Sequence, residues 1–287
     1  MGKKILVATD FSELGRAAVS AALELAKALD AQVDVLHAFT MLGMADSGGY
    51  TAAQLQQFES NAQVDLSRAA DAVASAGRLD ASLLQPGEPA QQILRAAESR
   101  AADLIVLGSH GRRGLTRMVL GSTAEDVLRK AQVPVLVIKE ARAPSFATIG
   151  VAVDLGEESA RVVATGFELA NALGAKAHLL HAYAPIVVPN EFGAGTIPYE
   201  SLHEKARESL RDLASPYERT PTMGKCVVEL GDPTSVILEL AQQLKLDLIV
   251  LGTQAKQGFT RLVAGSVAES VLRQSTAPVL IAKHRRG

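Results

Sequence analysis

The chain is written twice. Sliding the 287-residue sequence by 144 positions lays one half over the other without a net gap, and 46 of the 143 aligned pairs are identical. Asp10 meets Asp154, His37 meets His181, Gly87 meets Gly231 and Pro134 meets Pro278. The hexapeptide DLIVLG at Asp103–Gly108 recurs at Asp247–Gly252. A period of this length is a domain, not the unit of a solenoid. Two similar domains are therefore expected, at 1–140 and 146–287. They join across Ala141–Ser145, ARAPS, which carries a proline and no apolar periodicity. The match decays mainly at 41–60 and 71–86.

Within a half, strands and helices alternate. Lys4–Thr9 reads as a strand ending in Asp10. Glu13–Leu29 reads as a helix with Leu14, Ala18, Ala21, Leu25 and Leu29 at steps of three or four. Strand Val33–Phe39, the irregular stretch Met41–Tyr50, a polar helix over about 53–76 and strand Leu79–Leu84 follow. Pro89 suits the first position of a helix that runs to about Arg100, because its missing N–H costs nothing there. In the second half Asp232–Pro233 adds an N-cap residue before the proline. Leu104–Leu107 is wholly apolar, as in a strand buried on both faces of a parallel sheet. Hydrophobic residues make up 48% of the chain, aromatics only 4%, and Trp is absent, so the core rests on aliphatics. The fold class expected is α/β: two tandem, doubly wound, parallel five-stranded sheets with helices on both faces. Such sheets bind ligands beyond the carboxyl ends of their strands, near the switch in strand order. Asp10, Ala38 and Gly108 each end a strand in this reading.

The stretch after Gly108 carries the chemistry. Its pattern is Gly108-x2-Gly111-x9-Gly121-Ser122. This is neither a Walker loop, since no GK[ST] follows, nor the dinucleotide GxGxxG. Ser122 opens a helix, and Glu125 three residues on has the spacing of a capping box. A helix start presents unpaired N–H groups and attracts anions. Glycines before it let the backbone approach a phosphate closely. Each residue also has a plainer reading. Ser122 with Glu125 can serve capping alone, or capping with phosphate contact. Asp10 either caps the first helix or accepts a ribose hydroxyl. Arg112 and Arg113 either neutralise phosphate or form a solvated face. His110 reads as a loop residue with a hydrogen-bond role, and His37 and His181 as structural residues at strand ends. His178 and His181, three apart on a strand, face opposite sides and make no simple metal pair. Met41–Gly49 reads as a surface loop, with a lid over a ligand as the alternative.

The copies differ at this loop. The second reads Gly252-Thr253-Gln254-Ala255, nine residues, then Gly265-Ser266. Ala255 stands for Gly111, Gln254 for His110, Lys256 and Gln257 for Arg112 and Arg113, and Val153 for Thr9. The capping spacing survives as Ser266 with Glu269. An alanine costs about 1 kcal/mol or more where φ must be positive. A working first site and a weakened second site are expected.

Other classes are disfavoured. A net charge of −2 argues against general nucleic-acid binding. The single cysteine, Cys226, precludes an intrachain disulfide and fits a reducing compartment; it reads as a small buried hydrophobe, with a reactive thiol as the alternative. No signal peptide or membrane span is legible, so a cytoplasmic protein away from membranes is expected.

The glycine loop, its place after the fourth strand, the strand-end Asp10 and the duplication resemble the universal stress protein family in its tandem form, over nearly all of both halves. The resemblance implies the adenine-nucleotide-hydrolase-like version of the fold. It implies ATP, or another adenine nucleotide, with adenine and ribose near Ala8, Thr9, Asp10 and the backbone of Ala38. It puts the phosphates against Gly108, Ser109, His110, Gly111, Arg112, Gly121, Ser122 and Thr123. Asp154, Gly252, Thr253, Gly265 and Ser266 form the weaker second site. Mg²⁺ is the implied companion, arriving mostly with the phosphates, since no metal-ligand cluster is visible. Family members use the last strand for dimer contacts, which implies a pseudo-dimer of the two halves, with further pairing into a homodimer left open. No nucleophile–base pair or paired carboxylates stand beside the loop, so no catalytic residue is assigned. The function expected is a nucleotide-binding stress-response or regulatory protein with an unknown protein partner. A slow ATPase or phosphoryl transferase and a nucleotide-free interaction module are the alternatives.

Overall fold

Five short aliphatic runs in each half form strands, and the amphipathic segments between them form helices. The computed structural model describes residues 3–40, 51–110, 120–142, 145–184, 199–252 and 265–283. The chain divides into one unit of Met1–Pro144 with Lys283–Gly287 and a second of Ser145–Ala282.

Unit one runs β1 (Lys4–Ala8), α1 (Glu13–Leu29), β2 (Gln32–Phe39), α2 (Ala52–Ser75), β3 (Leu79–Pro86), α3 (Pro89–Ser99), β4 (Leu104–Gly108), α4 (Ser122–Lys130) and β5 (Val135–Ile138). Its strands lie in the order β3-β2-β1-β4-β5, and every pairing is parallel. The chain leaves β1 in one direction and returns through β4 on its other side. The β1–β4 boundary is therefore the switch point of a doubly wound sheet. Helix α1 packs with α2, and α3 with α4. Ile5, Leu6, Val7, Ile105 and Val106 are buried at the centre, which explains why those strands are continuous hydrophobic runs.

Unit two repeats the plan: β6 (Thr148–Ala152), α5 (Ser159–Leu173), β7 (Lys176–Tyr183), α6 (Tyr199–Ala214), a 3₁₀ turn (Ser215–Tyr217), β8 (Met223–Leu230), α7 (Pro233–Gln243), β9 (Leu248–Gly252), α8 (Ser266–Gln274) and β10 (Val279–Ala282). The order is β8-β7-β6-β9-β10, again parallel throughout. Phe167 of α5 is fully buried and stacks on Tyr217 at 4.1 Å.

Helix starts follow the sequence in part. Glu88 and Asp232 are N-caps followed by Pro89 and Pro233, and both side chains accept first-turn N–H bonds. The capping boxes expected at Ser122–Glu125 and Ser266–Glu269 do not form. The N-caps there are Gly121 and Gly265, neither with a side-chain cap bond, and each serine is the first helical residue. One residue of shift moves the serine hydroxyl out of capping position. Cys226 also departs from expectation: it lies exposed on β8, the outermost strand of unit two in this order. An outermost strand has a neighbour on one side only, so a small side chain there gains less cover than in the sheet centre.

Both units carry a register shift at the same place, between Val33 and Asp34 opposite β3 and between Ala177 and Leu179 opposite β8. The two bulges are filled differently. In unit one, Asp34 is fully buried and accepts from Nε and Nη2 of Arg100, which in turn pairs with Asp80, and Asp80 with Lys4. In unit two, the matching positions are His178, Leu244, Gly224 and Thr148.

Candidate functional site

A cavity of about 650 Å³ opens in unit one at the carboxyl ends of β1, β2 and β4. Ala8, Thr9, Asp10, Ala38, Gly108, Ser109, His110, Gly121, Ser122 and Thr123, all singled out in the sequence, line it. Gly111, Arg112, Arg113, Thr253, Gln254, Ala255, Lys256, Gln257 and the Met41–Gly49 stretch lie outside the described residues. Gly15, Leu36, Pro89, Ile93, Leu107 and Ala124 also line it without a sequence signal that marks them, as does His37, whose place at a strand end favours a structural role. Leu36, Pro89, Ile93 and Leu107 make an apolar wall.

The turn from β1 to α1 is built from its own side chains. Thr9 N–H donates to Leu36 O at 2.9 Å, and Thr9 Oγ1 accepts from Phe11 N–H at 3.1 Å. Phe11 sits at φ 63°, a left-handed position that a non-glycine residue occupies only when the surroundings hold it there. Asp10 Oδ1 accepts from Ser12 N–H at 3.1 Å and from Ser12 Oγ at 2.5 Å. Ser12 Oγ itself accepts from Gly15 N–H at 3.0 Å, capping α1. Asp10 thus both supports the cap and faces the cavity. A Cβ on Gly15 would lie 2.7 Å from Asp10 Oδ1 and 2.7 Å from Thr9 Oγ1, so a bare α-carbon lets α1 close on the strand end. His37 Nδ1 bonds Thr9 O at 2.7 Å, locking β2 to β1, and its ring lies 4.2 Å from that of Phe11.

The other rim is the start of α4. Ser109 is fully buried; its N–H donates to Ile138 O at 2.9 Å and its carbonyl accepts from Gly121 N–H at 2.7 Å. Its hydroxyl bonds His110 Nδ1 at 3.0 Å. This pins the two ends of the 108–121 loop together. It also takes the Gly121 N–H, a donor that the sequence alone offers to a ligand. The first helical closure is Glu125 N–H to Gly121 O at 2.9 Å. The N–H groups of Ser122, Thr123 and Ala124 therefore have no intrahelical acceptor, and Gly121 supplies no side-chain cap. They form a row of donors at the positive end of the helix, on the cavity wall.

Unit two keeps part of this. Asp154 Oδ1 accepts from Gly156 N–H at 2.9 Å and Ser159 Oγ at 3.1 Å, His181 Nδ1 bonds Val153 O at 2.8 Å, and Leu155 repeats the left-handed turn at φ 61°. Gly156 replaces Ser12, and α5 starts at Ser159, two residues later than its counterpart. At the start of α8, Gly265 and Ser266 keep the form of Gly121 and Ser122, and Val267 replaces Thr123. Gly252 is as tight as its position requires, since a Cβ there would meet Val162 Cγ2 at 2.8 Å. Among the described residues no three His, Cys, Asp or Glu side chains cluster as a metal site, and no helix is long and apolar enough to cross a membrane.

A profile of the universal stress protein family matches residues 1–139 and again 145–283. A universal stress protein of Mycolicibacterium smegmatis is 29% identical over 295 residues, covering 98% of this chain and 97% of its own. One from Mycobacterium tuberculosis is 30% identical over 191 residues, 64% of this chain and 63% of its own. The crystal structure of a universal stress protein from Archaeoglobus fulgidus superimposes with a TM-score of 0.73 at 22% identity, covering 99% of this chain and 97% of that one.

Proposed function

The chain belongs to the universal stress protein family, and on that footing we propose that unit one binds an adenine nucleotide, ATP, as a stress-response regulatory module. One observation carries the reading: an apolar wall of Leu36, Pro89, Ile93 and Leu107 shares a cavity with the N–H groups of Ser122, Thr123 and Ala124, which have no acceptor within the helix. A base needs the first, and a phosphate chain needs the second. Ala8, Thr9, Asp10 and Ala38 border the nucleoside end. Gly108, Ser109, His110, Gly121, Ser122 and Thr123 border the phosphate end, with Gly111 and Arg112 of the intervening loop assigned by the family pattern. The cavity offers ATP a fit of both characters. Among the described lining residues Asp10 is the one carboxylate, so Mg²⁺ would be held chiefly by the phosphates themselves.

Unit two is the weaker partner in this reading. Val153, Gly156, Val267 and Ala255 replace Thr9, Ser12, Thr123 and Gly111, three hydroxyls and a glycine. Calorimetric titration of the full chain with ATP and Mg²⁺ tests the proposal. One equivalent of ATP bound per chain is expected, lost on Gly111→Ala and kept on Ala255→Gly. No binding, or two equal tight sites, overturns it. Labelled ATP held with the protein should be recovered intact, as a binding module requires.

A further inference from the structure

The bulge in unit two holds a histidine where unit one holds a buried ion pair. His178 of β7 pairs in register with Gly150 of β6, and across β8 it meets the extra residue of the bulge. Its Nδ1 accepts the backbone N–H of Lys225 at 3.0 Å. The ring fits there because Gly224 has no side chain. A Cβ at Gly224 would lie 2.9 Å from Nδ1, 3.0 Å from Cε1 and 2.7 Å from Ala177 O. The bond thus ties an outermost strand to its neighbour at the one point where the regular ladder is interrupted.

An acceptor nitrogen is an unprotonated nitrogen. The charges bearing on the ring are Lys225 on β8 and Lys176 on its own strand, both positive. The side facing β6 offers Gly150 and Thr148, with Leu246 lying over Gly150, and none of these titrates. In unit one the same location is filled by Asp34 and Arg100, whose charges compensate each other.

We propose that His178 is an acid-operated latch on β8: protonation of Nδ1 removes the acceptor of Lys225 N–H, sets a third cation between Lys176 and Lys225, and loosens β8 from β7. Burial first, then Lys225 and Lys176, hold the His178 pKa below its ordinary value of 6.5. The sign follows from that direction. The unfolded chain takes up the proton first as pH falls, so the bond's contribution is complete above about pH 6.5 and is lost in progressively more acid solution. A cell compartment or medium turning mildly acid would then open the edge of one unit and spare the other.

Hydrogen exchange on the full chain, read at the Lys225 amide and corrected for the intrinsic pH dependence of exchange, tests this between about pH 7.5 and pH 5. Protection should fall by about five- to tenfold in the wild type, the size of one lost hydrogen bond. It should hold steady in His178→Asn, whose side-chain carbonyl can accept the same N–H at any pH. Protection that does not change with pH in the wild type, or that falls equally in His178→Asn, overturns the proposal. The wild-type protein also suffices alone: imidazole ring shifts showing His178 already protonated at pH values above its ordinary pKa of about 6.5 would overturn it as well.

Discussion

The carboxylate of Asp34 has no solvent exposure, and two bonds of 3.0 Å from Nε and Nη2 of Arg100 hold it in place. Arg100 is the C-cap residue of α3, so this pair ties the end of a helix to the interior of β2. Removing one partner of a buried pair strands the other charge. Arg100→Ala should destabilise unit one by about 2–3 kcal/mol, below the full cost of a buried pair because the arginine side chain is one-third exposed. Urea unfolding read on unit-one amides measures it. The joint change Asp34→Leu with Arg100→Leu should cost much less, since no charge is left behind.

Asp80 extends the same network towards solvent. The hydrogen bond from Lys4 is the main cause holding its carboxyl below the usual 3.8, with the Lys4 and Arg100 charges adding to it and partial desolvation opposing. A lowered carboxylate pKa contributes stability above its unfolded value and loses it as pH falls through the folded one. Acid unfolding of unit one should therefore steepen below about pH 4, and Lys4→Met should flatten that limb. An acid titration in which Lys4→Met follows the wild-type curve would contradict the assignment.

Ser122 is the first residue of α4, and Gly121 before it has φ −70° and ψ 151°. That geometry accepts a following proline, and a first-position N–H has no partner within the helix. Ser122→Pro should leave the melting temperature nearly unchanged. It also deletes one donor from the proposed phosphate end, so ATP affinity should fall by about tenfold while adenosine affinity stays put. Equal losses for ATP and adenosine would move the phosphates elsewhere.

Thr9 Oγ1 is the acceptor that steadies the left-handed Phe11. Thr9→Val removes it without changing the side-chain shape. A loss of about 1 kcal/mol in unit one is expected, the worth of one hydrogen bond. A thermal scan in which the variant matched the wild type would assign the turn's geometry to Asp10 and Ser12 alone.

Cys226 is exposed, yet partial desolvation, aided by the Glu218 charge, pushes its thiol above the ordinary 9.0. Only the thiolate is nucleophilic. Alkylation near neutral pH should go to completion, but more slowly than for a free thiol in water, and should accelerate above about pH 9.

Much of this was readable from the residues. Aliphatic runs such as LIVLG are short and have no solvent-facing alternation, which fits strands covered on both sides, and the repeat set the number of units. Asp10, Gly108 and Gly121 stood out because the turn chemistry is local. The apolar wall did not, because Leu36, Pro89 and Ile93 look like any core residue until β2 and α3 are brought together. Gly15 was hidden for the same reason, although Ser159 at its counterpart marked the position as variable. Ser122 misled through a spacing that fits a capping box one residue off. Cys226 misled because exposure on β8 depends on which strand ends the sheet, and that is a matter of long-range order. The pairing of Asp34 with Arg100 spans 66 residues and has no local signature.

The register shift recurs at matching places in β2 and β7, although nothing that fills it is shared: a salt-bridged aspartate in one, a histidine over glycine in the other. One backbone irregularity thus accommodates an ionic filling in one unit and a neutral one in the other. The shape of the main chain is common to both copies, and what lodges in it is particular to each.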